Sequence, residues 1–228
     1  MIIHRAGVNA VILYFANSIS LRTHRQVLRC YKKLLQIKTV AWISIIPSYT
    51  SILIHFDPLY LHEEELIDRL KQICTDSSPS FSEPESHEIK LIPALYDTQV
   101  GWDLDRISRQ KRLTKEQIIY FHTTTIYHVY AVGFLPGFAY MARVNAHIVL
   151  PRLKTPRPFV PAGSIGIADQ QTAVYPMRSA GGWNIIGRSP LKFFDAKKSG
   201  KPLLQVGMRV RFIAISCEVF KQLGGSLT

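Results

Sequence analysis

The sequence predicts two domains in one chain, an α+β layer followed by a compact β-barrel. Three observations predict it. Residues 6–73 alternate between β-rich runs and amphipathic helical patterns. Residues 75–86 (TDSSPSFSEPES) are polar and broken by proline, as a linker is. Residues 132–195 carry short β-branched or aromatic runs punctuated by glycine and proline, which is how a barrel of short strands and tight turns reads. The domains expected are 1–80 and 81–228.

Residues 6–16 (AGVNAVILYFA) read as a first strand. Over 20–37, Leu21, Val27, Leu28, Tyr31, Leu34 and Leu35 share one face of a helix. Residues 40–47 and 51–56 are β-rich runs joined by Pro47-Ser48-Tyr49-Thr50, a hairpin turn. A second helix starts near Leu61, with Glu63, Glu64 and Glu65 in the first turn, where the helix dipole favours anions. Leu66, Ile67, Leu70 and Ile73 form its buried face. Beyond the linker, 87–95 is a strand. Asp103 is placed to cap a helix through Arg109, and Thr114 with Gln117 makes a capping box for another through Phe121. Residues 126–133 form an apolar strand that leads into Gly133-Phe134-Leu135-Pro136-Gly137-Phe138. The runs 164–168, 172–175 and 183–186 supply barrel strands, and 207–215 a last one.

Composition narrows the function. At 228 residues and 47% apolar content, the chain buries a real core and is not disordered. No apolar run approaches the ~18 residues of a membrane span, and 10–16 is too short and too uncharged at its start for a signal peptide. The three cysteines are far apart and odd in number, which suits free thiols in a reducing compartment, so a cytoplasmic protein is expected. The histidines offer no metal-ligand spacing, so no metal is expected. The net charge of +12 is spread along the chain without a nucleic-acid signature; it serves solubility or an acidic partner.

The segments GFLPGFAYM (133–141), PRLKTPRPFVPAGSIGIADQQTAVYP (151–176), SAGGWNIIGRSPLKFFD (179–195) and IPSYTSILIHFDP (46–58) resemble, in order and spacing, the family of 5-oxoprolinase B subunits. That family includes the sporulation-kinase inhibitor KipI and proteins labelled allophanate hydrolase subunit 1. The resemblance implies a small α/β, ferredoxin-like N-terminal domain and a cyclophilin-like β-barrel domain. It implies work with the C and A subunits of 5-oxoprolinase. The three together hydrolyse 5-oxo-L-proline to L-glutamate at the expense of ATP, this chain being inactive alone. The KipI branch implies a different role, inhibition of a sensor histidine kinase; a third is membership of another amide- or urea-processing complex. The sequence departs from the family at Met141 to Asn145, where a Gly-Gly-Leu-Asp-Pro-type segment is usual, and at Asp169 and Ala173, where glycines are usual.

Opening a lactam requires an electrophilic carbonyl, a held carboxylate and a stabilised anionic oxygen. Arginine suits the last two tasks because its fork matches a carboxylate in two-point contact. Arg188 is the catalytic candidate. Arg157, Ser164, Gln171 and Tyr175, at or beside the turns, are the substrate-binding candidates. The competing readings make Arg157 a solvated loop charge and Arg188 a structural partner near Asp195. His122 joins the catalytic list because an imidazole titrates near neutrality, although it equally suits a helix C-terminus. Gly182 to Ser189 mimics a phosphate-binding loop, but residues 190–194 look like a strand where a helix is required, so the chain carries no ATP motif of its own. Ala162 to Gly166 lacks the setting of a nucleophile elbow, so Ser164 is not a covalent nucleophile.

Overall fold

The computed structural model describes residues 1–37, 39, 41–75, 88–197 and 200–227. The chain divides into two compact units, Met1–Glu85 and Ser86–Thr228. The linker expected over 75–86 lies, past residue 75, outside the described residues.

The first unit contains strands β1 (Ile2–Gly7), β2 (Ala10–Tyr14), β3 (Trp42–Pro47) and β4 (Ser51–Phe56), with helices α1 (Leu21–Gln36) and α2 (Glu63–Thr75). The sheet is antiparallel in the order β1-β2-β4-β3. Ser20 caps α1 by accepting from the Thr23 amide, and Val27, Cys30 and Leu34 recur at helical spacing to bury one face among Leu13, Ile52 and Ile54. The strand expected over 6–16 is β2, shortened at its start by a hairpin turn from β1, with Gly7 paired to Ala10. β1 escaped the pattern because nearly all of it is exposed, so it shows no apolar alternation. From β2 to α2 the path follows the ferredoxin-like order, but the outer strand arrives from the N-terminal side as β1 rather than after α2.

Cys30 and Cys74 are joined in a disulfide that links α1 to α2, with Cα atoms 5.3 Å apart. This corrects the expectation of three free thiols; only Cys217 is free. A separation of 44 residues gives no hint of a pairing that helix packing creates.

The second unit is built on a seven-stranded sheet: β5 (Ile89–Ala94), β6 (Tyr127–Val132), β7 (Ala139–Ala142), β9 (Ser164–Ala168), β10 (Gln171–Val174), β12 (Asn184–Arg188) and β13 (Arg209–Ala214). Their order is β12-β9-β10-β7-β6-β13-β5. The sheet curls into a nearly closed barrel, because the two outer strands meet at one reciprocal pair. Leu95 N–H donates to Arg188 O at 2.8 Å, and Arg188 N–H to Leu95 O at 2.9 Å. Alternate residues face inward, so Met141, Ile165, Ile167, Val174, Val210 and Phe212 fill the interior. The helices α3 (Leu104–Lys111) and α4 (Lys115–Thr123) also contribute to this core, and Thr114 and Gln117 form the expected capping box at the start of α4.

A short ribbon of β8 (Arg157–Val160) and β11 (Ser179–Gly181) forms a separate two-stranded sheet. A helix α5 (Cys217–Gln222) follows β13. Residues 190–194 are irregular rather than a strand, with the Phe193 side chain buried in the core. No helix is long and apolar enough to cross a membrane among the described residues.

Candidate active site

The pleat sorts the candidate residues onto two faces. In a ladder, paired residues share a face and neighbours along a strand alternate. Arg188 pairs with Ser164, and Gln171 with Ala168. Ser164, Gln171, Tyr175 and Arg188 therefore belong to the outer face of β9, β10 and β12. That face is covered by a cluster of Phe138, Val160, Ala173, Tyr175, Trp183 and Ile185.

Ser164 is fully buried, and its hydroxyl has no hydrogen-bond partner among the described residues. Arg188 is also buried; its Nη1 donates to the Ser226 carbonyl at 2.8 Å, and burial lowers the guanidinium pKa. The β9 end approaches this point closely. Gly163 adopts φ +79°, and a Cβ there would run into the Ser189 carbonyl oxygen.

Tyr175 follows β10 and sends its ring under Gly181, whose missing Cβ makes room for the phenol. Phe138 stands edge-on to Tyr175 and to Trp183, with centroids at 5.3 and 5.6 Å, and Tyr140 lies 6.0 Å from Trp183. Burial raises the Tyr175 pKa, so its phenol stays protonated at neutral pH and serves as a hydrogen-bonding group. Gln171, at the other end of β10, is four residues from Tyr175, about 13 Å along an extended strand. The structure thus brings Ser164 and Arg188 together, places the Tyr175 ring with Trp183, and leaves Gln171 apart.

Arg157 is not a solvated loop charge. Its Nη2 donates to Asp103 at 2.9 Å, and its guanidinium lies 5.5 Å from the Trp102 ring centre. Asp103 is buried and does not cap α3 with its side chain, against expectation. Its carboxylate accepts instead from the Ile185 amide at 2.7 Å, from Arg157 and from Arg106 Nε at 3.3 Å. Arg106 also donates to the Asn184 side-chain oxygen, while the Asn184 amide group donates to Pro151 O and Ile167 O. Sequence reading missed this role for Asp103. The signal available was an acid beside an aromatic ahead of a helix, which reads equally well as a cap.

His122 lies in the barrel interior rather than on the outer face, and its side chain is fully buried. The Thr172 hydroxyl donates to Gly166 O, so it accepts from His122 Nε2 at 3.0 Å; Nδ1 then accepts from the Tyr96 hydroxyl at 2.7 Å. Both nitrogens are thereby used in the neutral ring. Burial lowers the pKa to about 3, so the imidazole carries no exchangeable charge near neutrality.

The carboxyltransferase domain family, subdomain C and D, matches residues 1–204. The chain is 32% identical to the 5-oxoprolinase B subunit of Bacillus subtilis over 94% of this chain and 92% of that protein. It is 36% identical to the 5-oxoprolinase B subunit of Haemophilus influenzae over 72% of this chain and 76% of that one. The chain belongs to the family of 5-oxoprolinase B subunits. The crystal structure of TTHA0988 superposes with a TM-score of 0.80 at 32% identity, covering 91% of this chain; the chain spans 40% of the TTHA0988 chain.

Relative to the pattern of this 5-oxoprolinase family, the altered segment at Met141 to Asn145 leaves β7 and begins a loop. Met141 is buried inside the barrel, and Asn145 caps a short 3-10 turn by accepting from the His147 amide at 3.0 Å. The altered Asp169 sits in the β9–β10 turn at φ +51°, a conformation that glycine adopts without strain. Residues 184–188 of the phosphate-loop look-alike are a strand, and residues 189–197 directly after it contain no helix. These residues do not form a nucleotide cradle.

Proposed function

We propose that this chain is the B subunit of an ATP-dependent 5-oxoprolinase, which hydrolyses 5-oxo-L-proline to L-glutamate together with its A and C subunits. The observation that carries the reading is the match, over nine-tenths of both chains, to the 5-oxoprolinase B subunit of Bacillus subtilis. On this reading the chain is inactive alone and cytoplasmic, and ATP is bound elsewhere in the complex.

The chain's own part is to bind and orient. Ser164 and Arg188 are cross-strand partners on the outer face, and on this reading their hydroxyl and guanidinium supply donors for the oxygen that becomes anionic when the lactam opens. Tyr175 supplies a neutral hydrogen-bonding group beside the Trp183 ring. Arg157 is fixed by Asp103, and its charge is largely offset there. Burial keeps His122 neutral while Thr172 and Tyr96 occupy its two nitrogens, which suits support of the barrel rather than proton transfer.

The test is 5-oxoproline-dependent glutamate release by this chain with its cognate A and C subunits. Release that requires this chain and drops at least 100-fold in Arg188→Lys is the expected result. An assembled complex with no turnover sinks the assignment and brings kinase inhibition forward.

A further inference from the structure

Positive charge is spread along the chain, but helix α1 gathers part of it on one face. α1 carries Arg22, Arg25, Arg29, Lys32 and Lys33 and no acidic residue. At about 100° per residue, Arg22, Arg25, Arg29 and Lys32 fall within one narrow stripe. All four are exposed. The stripe runs about 15 Å along the helix axis. Neither Arg22 nor Arg29 forms an ion pair among the described residues.

Along one border of the stripe lie Leu21, Leu28 and Leu35, seven residues apart. Leu21 and Leu28 are half-buried, and Leu35 is 56% exposed. The opposite face of α1 is committed to the core through Val27, Cys30 and Leu34. α2 lies along the other border, where Cys30 bonds Cys74 and Lys33 Nζ donates to Ile73 O at 3.4 Å. The leucine row is therefore turned away from α2. A leucine at every seventh position, bordered by charge of one sign, is how one helix presents itself to another.

We propose that this face of α1 docks an acidic amphipathic helix of a partner protein. The arginines set the partner's charge, and the leucines set its class. A nucleic acid engages the arginines through its phosphates but leaves the leucine row uncovered. A bilayer surface needs the apolar face of a helix, and here that face is in the core. A second copy of the chain offers few acids. On α2, Glu63 is paired with Arg5, Glu65 with Arg69 and Asp68 with Lys71. In the docked state the partner's apolar row covers Leu28 and Leu35, and its carboxylates meet the arginines in two-point contacts. The inference concerns the first unit alone and stands apart from the reaction proposed above.

The experiment follows the fluorescence anisotropy of a labelled three-heptad peptide, with leucine along its seam and glutamate on both flanks. Repulsion between the glutamates keeps the free peptide from pairing with itself. The full chain binds it, and binds the same peptide with lysine flanks at least tenfold more weakly. Arg22→Glu/Arg29→Glu lowers the affinity at least tenfold, and Leu35→Gln at least threefold. Lys154→Glu/Lys221→Glu, an equal change of charge at exposed positions of the second unit, leaves it within twofold. Every substitution is at an exposed side chain, and circular dichroism checks that each variant is folded. No binding, equal binding of the two peptides, or unaltered binding in Arg22→Glu/Arg29→Glu overturns the proposal. Undiminished binding of a peptide whose seam leucines are replaced by glutamine overturns it too, because charge alone then suffices. Tighter capture by a DNA duplex or by phosphatidylserine vesicles at physiological salt overturns the assignment of a helical partner.

Discussion

Asp103 and Arg157 form an ion pair at 2.9 Å in which the acid is buried and the arginine only partly so. The same carboxylate holds the Ile185 amide at the outer edge of β12. The acid is therefore the hub and each arginine a spoke. Asp103→Ala strands a buried amide and two guanidinium groups, and a loss of about 3–5 kcal/mol in urea unfolding is expected. Arg157→Ala leaves Arg106 on the carboxylate and costs about half as much. Equal losses in the two variants contradict the hub arrangement.

His122 makes stability depend on pH. Its folded pKa is about 3 against an ordinary 6.5, so between those values the unfolded chain takes up a proton that the folded chain refuses. The contribution is complete above pH 6.5 and is lost as pH falls toward 3, amounting to several kcal/mol on the order given by linkage. Denaturant midpoints measured from pH 7.5 to 4.5 fall more steeply in the wild type than in His122→Gln. Parallel curves refute the buried neutral ring.

Gly163 is the tightest point near the candidate site. Any side chain there meets the Ser189 carbonyl, and φ of +79° disfavours all residues with a Cβ. Gly163→Ala is expected to cost roughly 2–4 kcal/mol. Gly133→Ala, with open space around the added methyl, serves as the mild comparison.

Most strands were legible because glycine, proline and β-branched residues mark their ends locally. The run over residues 164–168 became β9 without a shift, and Thr114 with Gln117 announced α4. What escaped was set by tertiary partners. β8 and β11 are too short for a period to register, and β7 follows directly on a glycine- and proline-rich turn. The site divided the same way. Ser164 and Arg188 share a face because of strand register, which a single run does not display. Asp103 looked like a cap because nothing in its neighbourhood announces Arg157, 54 residues away.

Ser164 offers a stability–function test. Its buried hydroxyl has no partner among the described residues, so Ser164→Ala removes a polar group that the fold leaves unsatisfied. Stability equal to or about 1 kcal/mol above wild type is expected, together with at least a tenfold loss of 5-oxoproline turnover in the complex. A destabilised but fully active variant assigns the hydroxyl to folding instead.

The reciprocal pair of Leu95 and Arg188, with Asp103 capping Ile185 beside it, occupies backbone groups along the outer edge of β12. That strand offers little template for an incoming one. The N-terminal sheet is different, since β1 and β3 each border it on one side only. Strand addition by another polypeptide, and edge-to-edge aggregation with it, is thereby steered away from β12 and toward open edges such as β1 and β3. On β12, a foreign chain is met by side chains.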